Sequence, residues 1–207
     1  MSLTTLQNGS DIRGVALAGV EDEPVTLTSE AVARIAAAFS LWLQETAQLD
    51  EPRICIGHDS RLSAAPLKAA ACEGIQSRGG VVLDAGLATT PSLFMATQFE
   101  AVQCDGAIML TASHLPANRN GMKFFTRDGG LSAESIRSIL ELADQLSISD
   151  DTKQIVGHVP LMEYYSEHLC SLIREQSGKR RPLEGLKIIV DAGNGAGGFF
   201  VSEVLQP

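Results

Sequence analysis

The sequence predicts a three-layer α/β/α domain on a mixed sheet, followed by an incomplete second α/β unit. Two observations predict it. Short apolar runs of strand length alternate with stretches of helical periodicity, and Gly, Pro, Ser, Thr or Asn stands at nearly every junction. Near the end, LKIIVDAGNGAGGFF restarts a strand–glycine loop–helix pattern with no further strands after it to pair with.

The elements follow in order. SDIRG (10–14) reads as an N-terminal strand. Thr28 offers an N-cap to AVARIAAAFSLWLQETA, where Val32, Ile35, Phe39 and Leu43 share one helical face. RICIG (53–57) is a short buried strand. Ser63 then caps a helix with Pro66 in its first turn and Gly79-Gly80 at its end. VVLDAGL (81–87) is the next strand, and Thr89-Thr90-Pro91 opens a short helix. DGAIML (105–110) and MKFFT (122–126) read as two more strands around a Pro-, Asn- and Gly-rich loop. Ser132 caps AESIRSILELADQL, and Pro160 precedes the amphipathic LMEYYSEHLCSLIREQ. GKRRP (178–182) is a basic linker before the restart at Leu186.

Composition narrows the function classes. Of 207 residues, 44% are hydrophobic and 20% charged, which is globular composition with apolar material for one sizeable core. A net charge of −9 argues against a general nucleic-acid surface or an anionic-membrane surface. No apolar run reaches the roughly 20 residues of a membrane span, and MSLTTLQNGSDIRG lacks the basic and apolar regions of a secretory signal. Cys55, Cys72, Cys104 and Cys170 are widely spaced with no CxxC pair, so free thiols in a reducing, cytoplasmic compartment are expected.

Four segments carry candidate chemistry, each at a strand end: SDIRG, GHDSRLSA (57–64), TASHLPANRNGMK (111–123) and VDAGNGAGG (190–198). Loops leaving the ends of buried strands are where α/β proteins hold ligands. Ser113 sits where a reacting hydroxyl is useful, and adjacency alone does not make Ser113-His114 a catalytic pair. Taken singly, DIRG reads equally well as a strand whose Arg13 makes a surface ion pair. His58-Asp59 reads better as a turn than as a metal pair. Gly193, Gly195 and Gly198 satisfy G-x-G-x-x-G, so a dinucleotide-binding loop is an alternative. The acidic residue expected about 20 positions later falls past Pro207.

Together and in this order, the four segments resemble the N-terminal part of an α-D-phosphohexomutase, the superfamily of phosphoglucomutases and phosphomannomutases. TASHLPANRNGMK is similar to the family's phosphoserine loop, T-x-S-H-N-P followed by N-G-x-K. SDIRG resembles its N-terminal arginine loop, GHDSRLSA its G-x-D-x-R-x-S element, and VDAGNGAGG the start of its second domain. The resemblance implies domain I over 1–158, and over 159–207 a connecting helix and the truncated start of domain II. It implies interconversion of hexose 1-phosphate and hexose 6-phosphate through a phosphoserine and a bisphosphate intermediate, with hexose 1,6-bisphosphate as activator.

On that resemblance Ser113 is the phosphorylated residue, and through its phosphate a ligand of Mg2+. The other metal ligands belong to an Asp-rich loop that lies beyond this chain. His114 would stabilise charge or shuttle a proton, and Lys123 would act as general acid/base. Arg13 would meet the transferring phosphate with its bidentate fork. Arg61 would serve the same cleft or a structural ion pair. Asn120, beside Gly121, would shape the loop by turn conformation and is a candidate phosphate contact. Leu115 departs from the pattern, which has Asn there; a non-catalytic sugar-phosphate-binding relative is the alternative it raises. Phosphate-monoester cleavage needs accelerations of up to ~10²¹-fold. These residues without the metal and the further cationic contacts are therefore expected to be inactive. Nothing in the sequence sets an oligomeric state.

Overall fold

The computed structural model describes residues 2–148 and 156–207. A short 3₁₀ turn at Leu3–Leu6 leads to β1 (Gln7–Asn8), β2 (Asp11–Val15), α1 (Ser29–Ala47), β3 (Arg53–His58), α2 (Ala64–Gln76) and β4 (Val81–Leu87). There follow α3 (Thr90–Ala96), β5 (Gly106–Leu110), β6 (Arg119–Thr126), β7 (Gly129–Gly130), α4 (Ala133–Gln145), β8 (Val156–His158) and α5 (Leu161–Ser177).

The strands form one mixed sheet in the order β1-β2-β6-β5-β3-β4-β8, with β7 paired to β6. The β3-β4, β3-β5 and β4-β8 pairs are parallel, and β1-β2, β2-β6, β5-β6 and β6-β7 are antiparallel. Period-two alternation splits the buried side chains into two cores. Ile54, Ile56, Ile108, Leu110, Met122 and Phe124 face α1, α2 and α4, where Phe39, Ile75 and Ile139 are fully buried. Cys55, Ala107 and Met109 face the opposite way, against Leu93 of α3 and Leu161 of α5. This is the expected three-layer arrangement, and it explains why β5 and the middle of β3 are apolar and buried on both faces.

The helix starts follow the sequence with one exception. Thr28 and Ser132 cap α1 and α4 through their side chains, and Thr89 with Ser92 closes a capping box on α3. Ser63 precedes α2 but makes no side-chain cap; its hydroxyl instead accepts from Asn120 Nδ2 at 2.9 Å.

Two expectations change. β6 starts at Arg119, so Asn120 and Gly121 lie in a strand and not in the loop turns. The run LKIIVDA is not a strand: no described strand lies alongside to take its backbone hydrogen bonds, and Leu186 and Ile189 are 63% and 98% exposed. The glycine loop after it leads only into a 3₁₀ turn at Ala196–Gly198 and a π-helical turn at Val201–Leu205.

Candidate active site at the serine loop

The parallel strands β3, β4 and β5 end on the same side of the sheet, and the loops leaving them meet there. Asp59 N–H donates to Leu110 O at 3.1 Å, tying the turn after β3 to the end of β5. Ser113 follows three residues on, exposed, with φ +54°. A non-glycine residue in this left-handed region costs about 1–2 kcal/mol, so something must hold it there. The Ser113 N–H donates to Thr111 Oγ1 at 2.9 Å, and the Thr111 hydroxyl donates to Asp59 Oδ2 at 2.6 Å.

Arg61 does the rest of the holding. Its Nε donates to Asp59 Oδ2 at 3.1 Å. Its Nη1 donates to Pro116 O and Arg119 O at 2.7 and 3.0 Å, and its Nη2 to Ser113 O and Leu115 O, both at 2.8 Å. A guanidinium has five N–H groups, and these contacts give each an acceptor. Of the two employments the sequence allowed Arg61, the geometry matches the structural one: it organises the loop and turns no free N–H toward a ligand.

Arg13 and Lys123 occupy the site face of β2 and β6. In their antiparallel register Arg13 stands opposite Gly121, and Ile12 opposite Met122. A Cβ at Gly121 would lie 2.8 Å from Arg13 Cδ and 2.9 Å from Thr111 O. The glycine of N-G-x-K is thus what lets the Arg13 side chain cross the ladder. Arg13 Nη1 donates to Thr111 O at 2.6 Å, while Nη2 reaches Asp11 Oδ2 at 2.9 Å and Ser113 Oγ at 3.4 Å. Two positions after Gly121, Lys123 projects on the same face and its Nζ donates to Asp11 Oδ2 at 2.5 Å.

Asn120 points the other way. It is fully buried, its amide nitrogen on Ser63 and its Oδ1 accepting from Gly121 N–H at 2.8 Å. This arrangement shapes the strand start and offers no atom to a phosphate. His114 is exposed and makes no side-chain hydrogen bond among the described residues. Leu115 is half-buried; its N–H donates to Ala112 O and its carbonyl accepts from Arg61, so the loop uses the backbone at this position.

The fourth segment lines the site on one side. A cavity of about 390 Å³ is bounded by Asp59, Arg61, Thr89 and Ser113 on one side and by Ala192, Gly193 and Gly195 on the other. Gly193 and Asn194 take consecutive left-handed conformations there, at φ +56° and +57°.

Three contributors had no role assigned from sequence. Asp11 and Thr111 are legible in hindsight from strand register. Glu23 was not: it lies in the irregular segment after β2, yet accepts from Asn118 Nδ2 at 2.6 Å and Arg119 Nη2 at 2.5 Å. The Asn118 hydrogen bond first, opposed by desolvation and helped by Arg119, holds the Glu23 carboxyl below its ordinary 4.5. Among the described residues no group of three His, Cys, Asp or Glu side chains could hold a metal.

Comparison with known proteins decides the family. The model for phosphoglucomutase/phosphomannomutase, alpha/beta/alpha domain I, matches residues 4–147. The chain belongs to this family. It is 33% identical over 191 residues to a phosphoglucosamine mutase of Pediococcus pentosaceus, covering 90% of this chain and 41% of the relative. It is 32% identical over 182 residues to a phosphomannomutase of Vibrio cholerae, covering 86% of the chain and 37% of the relative. The chain therefore spans about two fifths of the relatives it matches. Two solved structures share the fold. They are a phosphoglucomutase/phosphomannomutase family protein from Burkholderia thailandensis and the Paramecium phosphoprotein pp63/parafusin. The first has a TM-score of 0.68 at 22% identity over 84% of this chain and 37% of the other. The second has 0.64 at 15% identity over 96% and 40%.

Proposed function

We propose that this chain is the N-terminal part of a phosphohexomutase that exchanges phosphate between the 1- and 6-hydroxyls of a hexose through Ser113. The observation that carries the proposal is the exposed Ser113 hydroxyl, held in a left-handed backbone conformation with the Arg13 guanidinium against it. A carrier serine splits one difficult transfer into two easier ones. In the first, the P–O bond to Ser113 Oγ breaks and a P–O bond to the free sugar hydroxyl forms, giving the bisphosphate. In the second, the other phosphate of the reoriented bisphosphate returns to Ser113. Arg13 neutralises charge on the transferring group. Lys123 handles the proton of the sugar hydroxyl, and His114, without a side-chain hydrogen bond among the described residues, is available to the phosphate. Arg61 and Asn120 act on the loop and not on the substrate.

The described residues do not form a magnesium site by themselves. Asp59, a carboxylate at the serine loop, is occupied by Arg61 and Thr111, so this chain's share of a Mg2+ site would be the phosphate on Ser113. No step above passes through the metal. In the same reading, residues 1–158 are domain I, and α5 is the connecting helix docked on its second face at the start of 159–207. A cytoplasmic sugar-phosphate enzyme is part of the same reading, and no helix of the described residues is long and apolar enough to cross a membrane.

The dinucleotide alternative rests on the G-x-G-x-x-G spacing alone, a weak signal by itself, whereas the family model matches residues 4–147. Leu115 does not favour a non-catalytic relative, since the loop is built on that residue's backbone. The test is turnover of glucose, mannose and glucosamine 1-phosphates by the longer parent, primed with the bisphosphate. The proposal expects turnover of at least one by the parent and none by this chain alone. A parent inactive on all three would overturn it.

A further inference from the structure

Asp11 has no assigned role, yet one of its oxygens, Oδ2, holds both cations beside Ser113: Arg13 Nη2 at 2.9 Å and Lys123 Nζ at 2.5 Å. The register makes this specific. Asp11 and Arg13 are two apart on β2 and so share a face. Extending the Ile12–Met122 pair by one residue sets Asp11 directly across from Lys123. All three side chains are largely shielded, at 20%, 13% and 22% exposure. In such surroundings a charge pair is screened less than on an open surface.

We propose that Asp11 is the positioning residue of this site: its carboxylate fixes Lys123 Nζ and the Arg13 fork at set places beside the Ser113 hydroxyl. This rests on the mutase reading for its catalytic consequence and on geometry alone for its structural one. Arg13 has a second anchor, the Thr111 carbonyl at 2.6 Å. For Lys123, Asp11 is the only side-chain partner among the described residues. Loss of the carboxylate therefore frees the lysine more than the arginine. It also raises the positive charge facing an anionic substrate by one unit, so binding does not suffer while transfer does.

The experiment has two arms. In this chain, Lys123 acylation by an amine reagent is read by peptide mass against the exposed Lys187. A side chain tied to a carboxylate is less free to reach the reagent, so Asp11→Asn is expected to speed Lys123 labelling at least fivefold, while Asp11→Glu, which keeps the carboxylate, stays within about twofold of the parent rate. In the longer enzyme, Asp11→Asn is expected to lower kcat about 10²-fold, the scale of a misplaced reacting group. KM is expected to stay within about threefold, with Asp11→Glu recovering part of kcat. Labelling and kcat both unchanged in Asp11→Asn would overturn the proposal, as would equal losses in the Asn and Glu variants. Should Asp11→Asn not fold, Asp11→Ser takes its place with the same readouts. Faster labelling together with a parent that turns over no hexose phosphate would uphold the role of Asp11 and overturn the mutase reading instead.

Discussion

Arg61→Ala tests how the serine loop is built. The substitution strips hydrogen-bond donors from the carbonyls of Ser113, Leu115, Pro116 and Arg119 and leaves Asp59 without its ion-pair partner. The Ser113 and Pro116 contacts are exposed, so water replaces those donors. The contacts to Leu115 and Arg119 are part-buried. An unsatisfied buried acceptor costs about 1–3 kcal/mol, so these two part-buried acceptors set a loss of at most about 6 kcal/mol. That is a large share of the 5–15 kcal/mol typical of a domain. The expected result in urea is a lower midpoint with an unchanged slope. Amide exchange is expected to accelerate at Leu115 and Arg119, whose N–H groups donate to Ala112 O and Pro116 O inside the loop. Arg61→Lys keeps one charge but can make at most three of the five bonds, so it should recover only part of the loss. Full recovery by lysine, or unchanged loop exchange in Arg61→Ala, would refute the argument that the planar five-donor fork builds the loop.

Three further predictions follow from other parts of the structure. Gly121→Ala forces Arg13 and the Ile12 carbonyl away from the new methyl, with an expected destabilisation of about 1–3 kcal/mol in thermal or urea unfolding and a displaced Arg13. The Glu23 carboxyl is held low in the folded state, so the stability it adds is present above its ordinary 4.5 and is lost as pH falls through the depressed value. The acid limb of the stability–pH curve should therefore be shallower in Glu23→Gln than in the parent. Burial, then the Asp84 charge, pushes the Cys72 thiol up to about 11, and Cys55 is raised further by its hydrogen bond with Cys104 and by burial. A thiol reagent at pH 8 should accordingly modify half-buried Cys104 first and reach Cys55 and Cys72 only on unfolding.

Much of this molecule was legible in its sequence, and the failures share one cause. The β3 and β5 runs and the caps at Thr28, Thr89 and Ser132 were readable because each depends on local chemistry. Ser113 and Arg13 stood out because they sit in motifs. Arg61 remained ambiguous, since its employment depends on the carbonyls of a loop more than fifty residues away. Asn120 misled for a related reason. An Asn-Gly pair reads as a turn, but the ladder with β2 draws both residues into β6 and faces Asn120 into the core. LKIIVDA misled in the opposite sense, because its strand pattern is local whereas a strand exists only with a neighbour to pair with. Glu23 left no trace at all, since a carboxylate in an irregular segment gives no spacing to read.

The central claim is that Ser113 carries the phosphoryl group, and intact mass measures it directly. The parent enzyme, stripped of phosphate and then incubated with hexose 1,6-bisphosphate, is expected to gain one phosphoryl group, which peptide mapping locates on Ser113. Ser113→Ala should gain none while retaining its fold, because among the described residues the hydroxyl makes only a long 3.4 Å contact with Arg13. Its turnover should fall by several orders of magnitude. Equal labelling of the parent and of Ser113→Ala would place the carrier at another residue and contradict the account.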